Sequence, residues 1–497
     1  MRAVLILLVT GPLLAALACL RLPPRRAQAV TIVSGAASLL GALALVPGVD
    51  RHTPAVGFLR ADALSVVFVL ATAFCYATTA VHSVGYLRSE QGTAEAPRYA
   101  RRFYVGLNLF CWAMLAAPLV NGLALLWIAI EVTTVISALL VAIDDTEGAT
   151  EASWKYVLIA SVGLGIALLA TIFMYYAGSQ LLGGGYDLAF GPLVRVAHAL
   201  PAQPVRLAYV LAVVGFGTKA GLVPMHTWLP DAHAEAPTPV SALLSGALLA
   251  DSFYAVLRYH QVAVRTLGPA FPDAVLLAFG LASLVLAALY VLDQRDIKRL
   301  LAYSSVEHMG ILAIGVSFGT PVALAGVLLQ VLAHAAAKAT AFFGAGALLR
   351  GYGTKDIEEI HAAADRMPVT GVLFVTAVLA LSALPPFGIF RSEFQIVSGG
   401  LAAGHDAPAA VLVALVTVAF LGLSLAATRM VLQPGPAGEP AWPGDGPGSP
   451  ARRGEPSWWM VTAMAVGIGA LLVLGVHPPG ALTRLLHTAA LALGGGT

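Results

Sequence analysis

A small set of ionisable residues lies inside long apolar stretches of the chain, where each charge costs about 2.5–3.5 kcal/mol at mid-helix. Glu131 stands in LALLWIAIEVTTVISALLVAI. Lys219 stands in GFGTKAGLVPMHTWLPDAH (215–233), between glycines and ahead of Pro224. A carboxylate at that depth calls for a cationic partner, and Lys219, beside a helix break that admits water, supplies one. An amine and a carboxylate held together out of bulk water are suited to passing a proton. His334 and Lys338 (HAAAK) are spaced i,i+4 and share a helix face, with alanines between them that leave room for water. His308, in YSSVEHMG, has hydroxyls and Glu307 beside it, and Glu393 follows a second proline break in LSALPPFGIFRSEF. These six residues, at these depths, fit a proton relay.

Each also has a plainer reading. Glu131 also reads, less favourably, as a carboxylate bonded to a neighbouring helix, Lys219 as a lysine snorkelling to the surface, and Glu393 as an interfacial partner of Arg391. A single membrane histidine is more often a satisfied hydrogen-bonding group. Lys155, His226, His233, Asp251 and Arg391 are auxiliary to the six. Lys155 opens a helix, where snorkelling is common. His226 and His233 flank WLPD, either as a proton intake funnel or as caps and loop bonds. Asp251 and Arg258 lie in one span, and mutual pairing is their simplest reading. GFGTKAG lacks the spacing of a phosphate-binding loop, GLG at 163–165 reads as small-residue packing, and HExxH is missing.

The elements that position these residues follow from composition. Of 497 residues, 59% are apolar and only 11% are Asp, Glu, Lys or Arg. A soluble globular chain carries about 25% charged residues. With mean hydropathy +0.84 and net charge +2, a cytosolic enzyme, a disordered chain and a nucleic-acid binder are excluded. The apolar runs are long and do not alternate, so they are membrane-spanning helices rather than barrel strands. They fall near 3–20, 29–48, 62–87, 103–121, 123–143, 154–177, 205–225, 238–260, 270–292, 299–318, 321–349, 368–398, 407–432 and 458–477. That predicts an all-α polytopic membrane protein of about fourteen helices. The first run is followed by Arg21, Arg25 and Arg26, a stop-transfer pattern that reads as a retained span. Stretch 433–457 is rich in Pro and Gly and reads as a linker, and the tail after 478 as a turn or two at the interface. Cys19, Cys75 and Cys111 form no CxxC pair, so redox chemistry belongs on other chains.

Lysines and arginines concentrate in the odd-numbered loops, from Arg21 to Arg453, while the even ones hold chiefly Arg51, Arg60, Arg195, Arg206 and Arg265. The positive-inside rule then puts both termini outside the cell's inner membrane. Two proline-broken helices, the seventh and the twelfth, sit one in each half, the pattern of inverted repeats. The expected division is 1–102 (helices 1–3), 103–262 (first repeat, helices 4–8), 263–432 (second repeat, helices 9–13), 433–457 (linker) and 458–497 (helix 14 and tail).

TKAGLVPMHTWLPDAHAEAPTPVSALLSG, IKRLLAYSSVEHMG and LPPFGIFRSEF resemble signatures of the antiporter-like proton-channel subunits of respiratory complex I. That family also includes subunits of membrane-bound hydrogenases, formate hydrogenlyases and multisubunit sodium/proton antiporters. HAEAPTPVSALLSG and RGYGTKDIEEI are most similar to the large membrane subunit of group 4 nickel–iron hydrogenase and formate hydrogenlyase complexes. The resemblance implies a hydrophilic axis halfway across the membrane. Glu131 matches the family's fifth-helix glutamate, Lys219 its seventh-helix lysine, His334 and Lys338 eleventh-helix polar positions, and Glu393 the twelfth-helix carboxylate of one branch. Where complex I members often carry an eighth-helix lysine, this chain has Ala250, so a relay across the centre needs a water chain or Asp251.

The expected function is proton translocation in a multisubunit, redox-driven complex. This chain would hold no cofactor itself. Its partners would be other membrane subunits and a peripheral redox arm carrying iron–sulfur clusters with nickel–iron or flavin. The alternatives are a sodium/proton antiporter subunit, with Asp251 and Glu393 as hard oxygen ligands, and a structural subunit whose pumping has decayed.

Overall fold

The computed structural model describes residues 1–48, 53–88, 95–434 and 454–494. In hydrocarbon every backbone N–H and C=O must be paired within its own segment, and an apolar run without alternation can do this only as a helix. Helices therefore dominate. The first half holds α1 (Arg2–Cys19), α2 (Pro24–Leu45), α3 (Ala63–Arg88), α4 (Ala96–Ala116), α5 (Leu123–Val141) and α6 (Glu147–Leu182). After a short α7 (Phe190–Val196) come α8 (Ala202–Ala220), α9 (Trp228–Glu235), α10 (Thr238–Leu243) and α11 (Leu249–Leu267), the last two joined through a π-turn at 244–248. The second half holds α12 (Ala270–Val291), α13 (Ile297–Ser317), α14 (Pro321–Tyr352), a one-turn α15 (Ala363–Arg366), α16 (Pro368–Leu381), α17 (Gly388–Ala402) and α18 (Asp406–Leu432). α19 (Trp458–Val476) and α20 (Gly480–Leu493) complete the described chain. A two-residue hairpin, β1 (Ala55–Val56) with β2 (Leu59–Arg60), precedes α3.

Among the described residues 12 spans are long and apolar enough to cross a membrane, against the about fourteen expected. The difference falls at the two proline-broken segments. α8 stops at Ala220 because Gly221 turns left-handed (φ 81°). Gly221 N–H then bonds Thr218 O (3.3 Å) and Leu222 N–H bonds Gly217 O (2.9 Å), closing a Schellman cap. The 368–398 stretch divides into α16 and α17 in a similar way. Ala383 turns left-handed (φ 58°) and Leu384 N–H reaches back to Leu379 O (3.0 Å).

One expectation needs revision. The tail is longer than a turn or two: α20 runs 14 residues, with Leu485, Ala489 and Leu493 buried. Ala492 O accepts hydrogen bonds from Gln261 Nε2 (2.9 Å) and Arg265 Nη2 (2.8 Å) on α11, which dock it. The linker expected at 433–457 lies outside the described residues except at its ends. The core belongs to α3, α10–α11, α13 and α14, which are buried nearly all round, whereas α1, α18 and α19 present much of their surface outward. A helix that is buried on every face is free to place polar groups toward its neighbours.

Candidate functional site along the buried axis

Lys219 occupies the last turn of α8, fully buried, where the helix dipole favours a cation. Its Nζ donates to Tyr156 OH (2.6 Å) and to Thr134 Oγ1. Tyr156 in turn shares a 2.7 Å bond with Ser137 and packs its ring against Trp228 (4.6 Å). Trp228 Nε1 donates to Thr218 O (2.8 Å), pinning the broken end of α8. Glu131 lies one turn before Thr134 on α5 and acts on Lys219 through Coulomb forces without ion-pair contact. Glu131 Oε2 has no hydrogen-bond partner.

The second cluster is organised by α14, where Gln330, His334 and Lys338 repeat every four residues along one face. Lys338 Nζ donates to Leu301 O (2.7 Å) and to Ser304 Oγ on α13. His334 Nε2 meets Ser245 O in the π-turn (3.2 Å), and Ser245 Oγ bonds Ser305 Oγ (2.8 Å). The His334 and His308 rings lie edge to face at 4.9 Å. Gln330 Nε2 then bridges His308 Nδ1 (3.0 Å) and Glu393 Oε1 (3.2 Å), while Ser392 Oγ donates to Gln330 Oε1. His308 Nδ1 and Glu393 Oε1 are 3.9 Å apart. Glu307, buried beside them, has Oε2 without a hydrogen-bond partner.

The structure brings His308, His334 and Glu393 into one connected group, with Lys338 one turn along α14. Glu131 and Lys219 form a separate cluster. The auxiliary residues are scattered. Lys155 pairs with Glu151 (2.5 Å) and Asp231 (3.5 Å), in a partly exposed network that Arg299 joins at 2.7 Å from Asp231. His233 Nδ1 bonds Leu229 O (2.7 Å) within its own helix, and His226 is buried after the first break with Nδ1 unpartnered. Arg391 donates to Gly475 O (3.2 Å) and Val476 O (3.4 Å), not to Glu393. Asp251 does not pair with Arg258. Two turns of helix separate them, Asp251 accepts instead from Thr72 Oγ1 (3.4 Å), and Arg258 goes to Asp62 (2.6 Å).

Sequence reasoning missed Thr134, Tyr156, Ser304 and Gln330. Three are hydroxyl groups, which carry no charge and so give no signal of depth. Gln330 did carry one, since it stands one turn before His334 on the same face.

The family model described as "NADH:quinone oxidoreductase/Mrp antiporter, TM" matches residues 120–422, which include every residue of the axis. The chain is 36% identical over 382 residues to "Hydrogenase-4 component F homolog" of Methylacidiphilum infernorum, covering 76% of this chain and 80% of that one. It is 33% identical over 348 residues to "Hydrogenase-4 component B" of Escherichia coli, of which it spans 50%. Its fold superposes on a chain of the archaeal membrane-bound sulfane sulfur reductase with a TM-score of 0.84, at 21% identity, covering 99% and 98% of the two chains. Helices that break beside a buried lysine and a buried carboxylate, in a chain matched over most of its length, place this protein in the NADH:quinone oxidoreductase/Mrp antiporter family of polytopic membrane subunits.

Proposed function

We propose that this chain translocates protons as one membrane subunit of a multisubunit, redox-driven complex. The observation that carries the reading is the bonding of Lys219 and Lys338. Both are fully buried, yet each is held by hydroxyl or carbonyl oxygens and not by a carboxylate. A direct ion pair would fix the ammonium, whereas neutral oxygens hold it and still let its proton leave. Glu131 acts on Lys219 from a distance, and protons pass by water wires through Lys338, His334 and His308 to Glu393. The like-built breaks after α8 and α16 support two inverted half-channels, 103–262 and 263–432. Loop charges favour the cell's inner membrane with both termini outside. The redox centres (iron–sulfur clusters with nickel–iron or flavin) belong to partner chains in a peripheral arm, as the hydrogenase and quinone oxidoreductase names of the relatives suggest.

Proton uptake by the complex reconstituted in vesicles tests this. Lys219→Ala and Glu393→Gln are each expected to slow it by at least about tenfold. Wild-type rates in both variants would point to a structural subunit instead. Sodium transport is the second reading, favoured by the unpartnered oxygens of Glu131, Glu307 and Asp251, which are hard ligands suited to a hard cation. Sodium-dependent exchange with no electron donor present would select it.

A further inference from the structure

Asp251 stands outside the relay just described. It is 1% exposed on α11 and receives a single hydrogen bond, from Thr72 of α3 at 3.4 Å. Its Oδ2 has no partner, and among the described residues no lysine, arginine or histidine lies within ion-pair distance of it. Burying a carboxyl so poorly bonded costs stability that an apolar residue would not.

Its surroundings give a reason for that cost. From Asp251 outward, α11 reaches α3 through polar side chains. One turn beyond Asp251, Tyr254 OH meets Ser65 Oγ (3.1 Å) and donates to Pro118 O (3.1 Å). A further turn on, Arg258 donates through Nε to Tyr254 OH (2.9 Å) and through Nη2 to Ser65 Oγ (3.0 Å) and Asp62 Oδ1 (2.6 Å). From Thr72 to Asp62 is about 15 Å of helix, half of the roughly 30 Å hydrocarbon thickness. Inward, Ser245 of the π-turn lies six residues before Asp251, and among the described residues no hydrogen bond joins the two. Ser245 O takes His334, and the next residue, Gly246, lies so close to α3 and α14 that a Cβ there would stand 2.9 Å from Cys75 Sγ and 3.2 Å from Ala335 O. Among the described residues no hydrogen bond joins Thr72 to Tyr254 or Ser65, and Phe68, which lies between Ser65 and Thr72 on α3, stands edge-on to Tyr254 at 5.1 Å.

We propose that Asp251 is a proton-binding site off the main axis, and that the α3–α11 seam carries protons between it and the membrane surface at Asp62. The inference rests on the proton-relay reading and adds a branch to it. A proton gained at Asp251 Oδ2 is one lost from the axis. Along the seam each hydroxyl of Thr72, Tyr254 and Ser65 accepts one proton as it releases another, with water entering to carry the proton between Thr72 and Tyr254 and between the axis and Asp251, so only O–H bonds form and break. The Phe68–Tyr254 pair is the barrier that must part, and the Arg258–Asp62 pair closes the mouth.

The complete complex in vesicles, driven by an imposed potassium diffusion potential and read with an internal pH dye, tests the branch. Asp251→Asn is expected to lower proton flux measurably below wild type while leaving the flux carried by the axis, and Asp251→Glu to recover part of the loss. Wild-type flux in Asp251→Asn, or equal loss in both variants, overturns the proposal. Should the Asp251 variants fail to assemble, Thr72→Val and Ser65→Ala remove only hydroxyls and decide it: reduced flux supports the seam, wild-type flux refutes it. Lys219→Ala is the parallel control. Loss there with wild-type flux in Asp251→Asn removes the branch alone, whereas wild-type flux in both removes the relay as well.

Discussion

Gln330 joins the second half of the axis by donating to both His308 and Glu393. An apolar side chain of similar length would separate the histidine from the carboxyl and leave Glu393 Oε1 without that donor. An unsatisfied buried acceptor costs about 1–3 kcal/mol. Gln330→Leu is therefore expected to lower stability by about that amount and to slow proton uptake at the same time. Thermal unfolding and vesicle uptake on one preparation check the two effects, and unchanged uptake would mean that Gln330 only packs. Charge at depth is what made Glu131, Lys219, His334, Lys338 and Glu393 legible in the sequence. The hydroxyls that hold the lysines were not legible, because serine, threonine and tyrosine occur in apolar helices for ordinary backbone bonding. Thr134, for example, also reaches Ile130 O on its own helix (3.3 Å).

At the scale of elements, the two breaks are the informative units. Both end a helix on a left-handed residue, but the first uses Gly221 and the second Ala383. A left-handed Cβ-bearing residue costs about 1–2 kcal/mol. Ala383→Gly should then be neutral to stabilising, the relief of strain being set against the greater freedom of glycine in the unfolded chain. Gly221→Ala should destabilise by more than the backbone term alone, since its Cβ would stand 2.5 Å from Leu229 Cδ1. Opposite shifts in the midpoint of thermal unfolding in detergent would confirm this, and equal shifts would refute it. Proline marked both breaks in the sequence. The left-handed cap at Ala383 left no mark, because alanine is ordinarily the best helix former. The docking of α20 was equally hidden, since its length was readable only once its side-chain donors on α11, Gln261 and Arg265, were in place.

Across the whole molecule, α3 is tied, just before its first residue, to α11 by Asp62 and Arg258. Burial alone would push the Asp62 carboxyl up, but Arg258, aided by Arg60 and the Ser65 N–H, outweighs it and holds it below the usual carboxylate range. The stabilisation is thus fully present above the ordinary aspartate value of about 3.9 and is lost as pH falls through the lower, folded value. Asp62→Asn should remove that acid-side loss. At neutral pH it should destabilise by about 3–5 kcal/mol, because it leaves the Arg258 guanidinium buried without its partner. Unfolding followed by circular dichroism over a pH series reads both, and a wild-type acid limb in the variant would contradict the assignment. Sequence by itself determined the membrane location, the helical class, the two breaks and the ionisable set. Each of these follows from local cost: charge is expensive in hydrocarbon, and backbone polar groups there must pair within their own helix. Only the tertiary structure decided which groups meet. Glu393 turned to Gln330 and not to Arg391, and Asp251 turned to α3 and not to Arg258. Those choices depend on which faces of α3, α11, α14 and α17 pack together, and helical spacing fixes a face without naming its neighbour.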